Sequence, residues 1–529
     1  MADVELKTPA LSPAAYAALV YLALPGFAFL TQWVVMPAGG ALAALLFGTL
    51  LYVRRVYGCR FDATQVDARR RLGLCLIVAL AWVALGGIGH AVFTNSDWQV
   101  RDAVFRDLAL TGWPLNYGAD GNDIALLRTP PGYYLIPALI GKVFGIAALN
   151  PAVFLWTALG IFLFLALVTA GCRSLRDAAI LVAVIVLFSG MKFVGMLAMQ
   201  AYYGQADVPF LERLTYYTHM WSHIAHYSSL TTELYWSPNH ALTEWLLMGL
   251  WWRYRDTPRL LQVGILALPL GLLWSPFAVL GMVPFMAWSL FEHRKALFEK
   301  LSPWLVTLSF LFAMPPVFYL TLGSGKIPQI WLPERMIDMP SIIGNYLLFV
   351  VLEFGLLIAA LYALRPQRLL LMIATLLTLL PLYWFGLWSD LAQHAAMPSL
   401  LALALITGQW IAAAPRRLRE WPLAGKLLLL MLAIGAIVPL QEWGAALWKP
   451  AWEYNGHCTL VDAWRSNPNI PPTMATYVAR LDAYPAILQP PHSVVSQRAK
   501  DEPCWPRAMT WPGPLSELWQ GDRRRIVAP

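Results

Sequence analysis

The residues best suited to chemistry form a charged segment that begins at Asp97. Three aspartates and two arginines stand within eleven residues, and they are Asp97, Arg101, Asp102, Arg106 and Asp107. Because only 13% of the chain is charged, this density suggests a site. Apolar residues at three- and four-residue steps between them predict an amphipathic helix, in which Asp102 and Arg106 lie one turn apart and pair. Asp107 is then a solvated charge, and Asp102 is an ion-pair partner or a substrate contact. Asp97 stands where the helix begins, a position at which a carboxylate also caps unpaired amides.

A second candidate site is rich in histidine. His219, His223 and His226 follow one another at steps of four and three residues, so on a helix they share one face. Imidazoles in that arrangement can bind a divalent metal ion, which makes such an ion a candidate cofactor. The alternative is a polar, aromatic helix at the level of the lipid headgroups.

Two pairs of polar residues stand at the predicted outer ends of apolar segments. His240 and Glu244 lie one helical turn apart, and Asp390 and His394 have the same spacing in a later segment. Polar side chains are costly at membrane depth and are often functional there. Both pairs are therefore candidate substrate contacts, with helix capping and helix pairing as the alternative.

Cations are scarce on the predicted outer side, and those present are the candidates for binding a phosphate group. They are Arg128, Lys326 and Arg335. Arginine suits this role because its planar guanidinium binds phosphate through two parallel hydrogen bonds. The alternative is that these side chains extend to the membrane surface. Tyr133 and Tyr134 follow Arg128 and are candidates to stack on a substrate ring.

The elements that must position these residues are membrane helices. Of the 529 residues, 59% are hydrophobic, and the mean hydropathy is +0.56. Long apolar stretches recur between short polar gaps, and a helix of about 20 apolar residues crosses a bilayer with its backbone satisfied. We predict an all-α polytopic membrane protein with about 13 transmembrane helices. The first stretch lacks the features of a cleavable signal peptide and is predicted to remain as a span.

The charge distribution orients these spans. The net charge of +8 comes from basic residues clustered in the gaps, which is typical of membrane proteins and does not indicate nucleic-acid binding. We assign the arginine-rich gap at residues 54–71 to the cytoplasm. Alternation then gives a membrane domain at residues 1–441, with outer loops at 94–149, 200–238, 323–340 and 388–398. Residues 442–529 form a periplasmic C-terminal segment, and Pro131–Gly145, too short to span, is predicted to lie on the membrane surface.

The cysteines divide in the same way. Cys59, Cys75 and Cys172 fall on the predicted cytoplasmic side or in a span, whereas Cys458 and Cys504 fall in the C-terminal segment. In an oxidising periplasm these last two residues can form a disulfide.

The order of features from Asp97 to Gly145 resembles the first extracytoplasmic loop of the GT-C superfamily of glycosyltransferases. An acidic residue follows an early span, a helix runs to Leu108, and an Arg-x-Pro-Pro-x-x-Tyr segment closes with Phe-Gly. The loop is most similar to the branch of protein mannosyltransferases and lipid A aminoarabinose transferases. That branch often has a second acidic residue beside the first, and Trp98 stands there instead.

This resemblance implies an enzyme of the bacterial inner membrane with its active site facing the periplasm. Asp97 is the expected catalytic base, the donor is a sugar on polyprenyl phosphate, and the acceptor is a lipid, a glycan or a protein. Transfer would proceed with inversion. One alternative is a glycan ligase or polymerase that uses a polyprenyl diphosphate donor. The other is a lipid or glycan transporter, which the near absence of charge in the middle of the spans disfavours.

Overall fold

The computed structural model describes most of the chain. It covers residues 10–59, 66–118, 123–202, 221–222, 224–296, 301–332, 339–386, 389–449, 451–452, 455–466, 474–499 and 502–504. Within these ranges helices predominate, as the apolar composition predicts, because a helix bonds its own backbone groups where no water is available.

The first ten α-helices of the described residues lie between residues 13 and 254. They are α1 Pro13–Gln32, α2 Ala38–Tyr57, α3 Val66–Leu85, α4 Asp97–Leu110, α5 Gly132–Phe144, α6 Leu149–Thr169, α7 Leu175–Leu187, α8 Lys192–Tyr202, α9 Leu230–Trp236 and α10 Pro238–Tyr254. The remaining helices are α11 Pro258–Gly271, α12 Pro276–Glu292, α13 Pro303–Thr321, α14 Met339–Val350, α15 Leu356–Leu364, α16 Arg368–Leu379, α17 Asp390–Ala413, α18 Leu423–Gly435, α19 Ile437–Trp448 and α20 Leu460–Ser466. Residues Val351–Gly355 form a π-helical segment between α14 and α15.

Eight helical segments in the described part of the chain are long and apolar enough to cross a membrane. They are Pro13–Gln32, Ala38–Tyr57, Ile146–Thr169, Leu175–Tyr202, Pro303–Thr321, Ile342–Leu364, Asp390–Ala413 and Leu423–Leu447. Four shorter apolar helices accompany them, including Gly132–Phe144 on the segment predicted to lie along the membrane surface. The chain is thus a helical protein with the features of a membrane protein, and the count of 13 spans stays a prediction.

Helix α4 is present where the spacing predicts it, but its surroundings differ from those expected. Every residue from Trp98 to Ala109 is buried. Asp102 does not pair with Arg106; it contacts His90 Nε2 at 2.8 Å. Asp107 is not solvated, because its side chain is fully buried. The sequence interpretation was wrong on both points, since other segments of the chain cover the face of α4 that it assigned to water.

A small sheet joins the first outer loop to the C-terminal segment. Its strands are β1 Leu115–Asn116, β2 Ile124–Leu127, β5 Val478–Leu481 and β6 His492–Ser493, in the order β5-β2-β1-β6. The hairpin β1–β2 therefore lies between two strands of the C-terminal segment. Because paired strands share one side of a membrane, β5 and β6 lie on the same side as β1 and β2. A separate antiparallel pair joins β3 Gln329–Trp331 to β4 Tyr383–Phe385.

Two predicted boundaries and one predicted bond can be compared with the structure. The predicted outer loop at 388–398 is helical from Asp390 onward, because α17 begins there. The predicted boundary at 441/442 falls inside α19. Cys458 and Cys504 form a disulfide, the pairing that the sequence left open.

Candidate functional site

The candidate site begins at the amino-terminal end of α4. Asn95 and Trp98 both donate hydrogen bonds to the Tyr235 carbonyl, at 2.8 and 2.9 Å. That carbonyl lies in the last turn of α9, where carbonyls have no partner within their own helix. The backbone amide of Asp97 donates to Asn95 Oδ1 at 3.1 Å. These bonds fix the start of α4 against the end of α9.

The Asp97 carboxylate is the accessible group of this end of the helix. Its side chain is 46% exposed, whereas the residues from Trp98 to Ala109 are buried. In the described part of the chain, no backbone amide bonds this carboxylate, and Ser96 occupies the N-cap position. Asp97 therefore does not cap α4, which was the alternative that the sequence left open. Its carboxylate is accessible from outside the protein.

Arg101 stands one turn further along α4 and is the cation nearest to Asp97. Its Nη2 lies 3.7 Å from Asp97 Oδ2. The guanidinium also donates to the Trp236 carbonyl, to the Tyr134 hydroxyl at 3.0 Å and to Asn239 Oδ1 at 3.0 Å. With so many acceptors Arg101 is held in place, so it positions charge beside Asp97.

The environment of Asp97 favours a carboxyl group that holds its proton more strongly than usual. Desolvation by the surrounding protein raises its pKa, the charges of Arg101 and His394 lower it, and the charge of Glu233 raises it. Desolvation is the largest of these effects, so the pKa lies above the ordinary aspartate value. The same interactions show that Asp97 lies close to residues of α9 and α17.

His240, Glu244 and His394 form a second group, which we call the His–Glu cluster. One potential ligand atom of each residue lies within 4.8 Å of the others. The two imidazole rings are stacked, with centroids 3.5 Å apart and an angle of 7° between their planes. Glu233 Oε1 contacts His394 Nδ1 at 2.7 Å, which connects the cluster to the end of α9. The structure therefore brings His394, from one of the polar pairs that the sequence treated separately, beside both members of the other pair.

The C-terminal segment contributes Tyr477. The amides of Arg128 and Thr129 donate to its carbonyl at 2.7 and 3.1 Å, which continues the pairing of β2 with β5. Burial raises the pKa of the Tyr477 phenol; the charge of Arg101 lowers it, and those of Tyr134 and Asp97 raise it. Tyr477 thus lies between the Arg128 segment and the exposed end of α4.

Arg128 has a different environment from Asp97. Its side chain is buried, and its Nε and Nη2 have no hydrogen-bond partner among the described residues. These two groups form the side-on edge of a guanidinium, which binds an oxyanion with two parallel hydrogen bonds. Burial lowers the pKa of Arg128 to about 10, opposed by the charge of Tyr319 on α13. Arg128 therefore interacts with Tyr319, and among the described residues it forms no ion pair with Asp97.

The other predicted phosphate ligands are not seen at this position. Lys326 is exposed, and its ammonium contacts the Arg480 carbonyl at 3.5 Å. Arg335 lies outside the described residues.

The remaining predicted substrate contacts are largely internal. Tyr133 is buried with its hydroxyl 2.7 Å from Thr157 Oγ1, and Tyr134 is buried against Arg101. Asp102 is buried in its pair with His90. Asp390 is partly exposed in the first turn of α17, near Tyr477.

The predicted histidine metal site cannot be placed as a unit. His219 and His223 lie outside the described residues. His226 is half-buried and does not belong to the His–Glu cluster. The described residues that could hold a metal ion are His240, Glu244 and His394 instead.

Several residues of this region were not singled out from the sequence. Lys192 and Glu353 are both buried, with 3.8 Å between Nζ and Oε1, and each lies within a segment long enough to span a membrane. This corrects the expectation that the spans carry almost no charge. The sequence shows both residues as single charges inside long apolar runs, and such charges usually have a partner or a function. Tyr477 offered none, because its place depends on strand pairing across the chain.

No protein-family model, curated protein or solved structure matches the chain.

Proposed function

We propose that the chain is a membrane glycosyltransferase of the GT-C type. In this proposal it transfers a sugar from a polyprenyl phosphate carrier to a lipid, glycan or protein acceptor on the periplasmic side of a bacterial inner membrane. The acceptor hydroxyl attacks the anomeric carbon, Asp97 takes the hydroxyl proton, and the bond from the anomeric carbon to the phosphate oxygen breaks. Polyprenyl phosphate leaves, and the configuration at the anomeric carbon inverts.

The observation that carries the proposal is the accessible carboxylate of Asp97 at the end of a buried helix. General base catalysis requires a carboxylate that reaches the substrate and binds a proton near the working pH. Asp97 meets the first condition through its 46% exposure. The desolvation that raises its pKa supports the second. Arg101, held by Tyr134 and Asn239, keeps the carboxylate in place.

The unpaired edge of Arg128 supports a phosphate-bearing donor. A buried guanidinium with two unused donors is costly unless an anion binds it. Its segment is bonded to Tyr477, whose phenol is near Asp97. In this proposal Arg128 binds the donor phosphate, with Lys326 and Arg335 as further candidates. Tyr133 and Tyr134 then support the site from within the protein.

The proposal is tested with purified protein in lipid nanodiscs and a panel of short-chain polyprenyl phosphate sugars. Release of polyprenyl phosphate is measured by mass spectrometry, with and without periplasmic acceptor extracts. We expect release from at least one donor, dependent on Asp97. Consumption of polyprenyl diphosphate donors alone would favour the ligase or polymerase, and lipid movement without bond cleavage would favour the transporter.

The raised pKa of Asp97 predicts how transfer depends on pH. A base works only when deprotonated, so the rate falls as the pH drops through the pKa of Asp97. Because that pKa lies above the ordinary aspartate value, we expect the acid limb of kcat to lie above about pH 4. Single-turnover rates across an acid-to-neutral series measure it. A rate unchanged down to the ordinary aspartate range would contradict the assignment.

Replacing Arg128 by lysine should weaken donor binding. The substitution keeps the positive charge but removes the side-on edge, at a loss of about one charge-assisted hydrogen bond, or roughly a 10- to 100-fold rise in the donor KM. Arg480→Lys is the matched control, because Arg480 is exposed on the paired strand β5. Equal donor KM values in the two variants would remove Arg128 from the site.

A further inference from the structure

We propose that His240, Glu244 and His394 bind one divalent metal ion of the zinc type. The residues come from α10 and α17, and their potential ligand atoms lie within 4.8 Å of one another. This site is distinct from the one that the spacing of His219, His223 and His226 predicts.

The hydrogen bonds of both histidines leave the same nitrogen for a metal. His394 Nδ1 lies 2.7 Å from Glu233 Oε1, and His240 Nδ1 lies 2.6 Å from Ser275 Oγ. Each ring therefore uses Nδ1 for a protein partner and keeps Nε2 for coordination. A hydrogen-bond partner on the second nitrogen is the usual arrangement around metal-binding histidines.

Glu244 supplies the strongest sign of a missing cation. Its side chain is fully buried, and neither carboxylate oxygen has a hydrogen-bond partner among the residues that the structure describes. An unpaired buried carboxylate costs several kcal/mol in any state that leaves it charged. A metal ion bound by one or both oxygens removes that cost.

The surrounding charges point in the same direction. Glu233 is close enough to Glu244 and to Asp97 for their charges to interact. Besides His394, whose charge acts on Asp97, the described cations that interact with these three carboxylates are Arg101 and Lys192, and Lys192 also pairs with the carboxylate of Glu353. Negative charge is therefore in excess, and a divalent ion balances it.

The stacked rings of His240 and His394 must change their relative orientation when a metal ion binds. A bound ion lies in the plane of each imidazole, so two parallel rings 3.5 Å apart cannot both ligate it without movement. His394 is held by the charged carboxylate of Glu233, whereas the partner of His240 is the uncharged Ser275 hydroxyl, which makes a weaker hydrogen bond. We infer that His240 turns when the ion binds.

The donor set identifies the class of metal. Two imidazole nitrogens and one carboxylate form the ligand set of many catalytic zinc sites, which leave a fourth position for water or substrate. The charge of His394 acts on Asp97, so the His–Glu cluster lies near the exposed end of α4. Metal binding by this cluster does not depend on the proposed function. If the bound ion also holds a substrate oxygen, that role rests on the proposed function.

The test measures metal binding directly. Tag-free protein in nanodiscs is stripped with a chelator, reloaded with Zn²⁺ or Co²⁺, dialysed and measured by elemental analysis and visible absorption. We expect one ion per chain and a Co²⁺ spectrum of low-symmetry, four- or five-coordinate type. Glu244→Gln and His394→Gln should weaken binding at least 10-fold and abolish the spectrum.

Matched controls separate the site from general effects of buried charge. Glu353→Gln changes another buried membrane glutamate and should keep the metal, as should His457→Gln in the exposed part of the C-terminal segment. Asp97→Asn should lose transfer but retain the ion, which separates this inference from the proposed function. Wild-type protein that retains no ion and gives no Co²⁺ spectrum overturns the proposal. So does a folded Glu244→Gln variant with unchanged binding.

Discussion

Asp97→Asn is expected to lower kcat for sugar transfer by about 10²- to 10⁴-fold, the usual contribution of a general base. Asparagine has nearly the same shape but does not accept the acceptor proton at neutral pH. Donor binding should change little, because the carboxylate is assigned to the acceptor. The measurement is single-turnover release of polyprenyl phosphate, which isolates the chemical step from product release.

The unfolding temperature of Asp97→Asn shows whether its loss of activity comes from the chemistry or from a damaged fold. The contact between Asp97 and Arg101 is long and half exposed, so its loss should cost well under about 1 kcal/mol. Asparagine is also accepted at helix starts. The Asp97→Asn protein should therefore unfold at nearly the wild-type temperature. Asp482→Asn, an exposed aspartate just after β5, is the control for activity. Wild-type turnover in Asp97→Asn would eliminate Asp97 as the base.

The second large effect is expected at Asp107, which holds the C-terminal segment against α4. Its carboxylate accepts hydrogen bonds from Arg106, from the Tyr117 hydroxyl and from the Leu460 amide, at 2.9, 3.0 and 2.8 Å. Leu460 begins α20, where backbone amides lack partners within the helix. Asp107→Ala leaves the buried Arg106 without its counter-ion and should cost about 3 to 5 kcal/mol. Thermal unfolding and limited proteolysis of the C-terminal segment measure the loss.

Asp462→Ala is the matched control for that experiment. Asp462 and Thr459 bond each other's backbone amides in a capping box at the start of α20, but Asp462 is only partly buried. Its removal should cost about 1 kcal/mol. An equal loss of unfolding free energy in Asp107→Ala and Asp462→Ala would show that Asp107 does not hold the C-terminal segment in place.

The effect of pH on stability provides an independent check on Asp107. Burial raises its pKa to about 6, and the bonds from Leu460 and Arg106 lower it. The folded-state pKa of Asp107 lies above the unfolded value of about 3.9. The protonated carboxyl therefore stabilises the folded protein fully below about pH 3.9, and this contribution is lost as the pH rises through about 6. Asp107→Asn should remove this dependence, which unfolding experiments at both ends of the range would reveal.

The sequence alone determined the class of structure and several local features. Long apolar runs leave only helices for the backbone in lipid, and eight helical segments meet the length and composition of spans. The spacing of Val100, Val104 and Leu108 predicted α4, which the structure has at Asp97–Leu110. The sequence also showed that Cys458 and Cys504 can pair, because both fall in the C-terminal segment, and the structure has this disulfide. These features depend on residues close in the chain or on composition, which a sequence displays directly.

Only the tertiary structure decided which polar residues meet. His240 and His394 stand about 150 residues apart and stack because α10 and α17 pack together. In lipid, the packed and the exposed faces of a helix are equally apolar, so the hydrophobic pattern does not reveal which faces touch. The burial of Asp107 and the unpaired edge of Arg128 stayed hidden for a different reason, because segments far away in the chain contact both residues. Tyr477 reaches the site because strand pairing brings a distant segment beside β2.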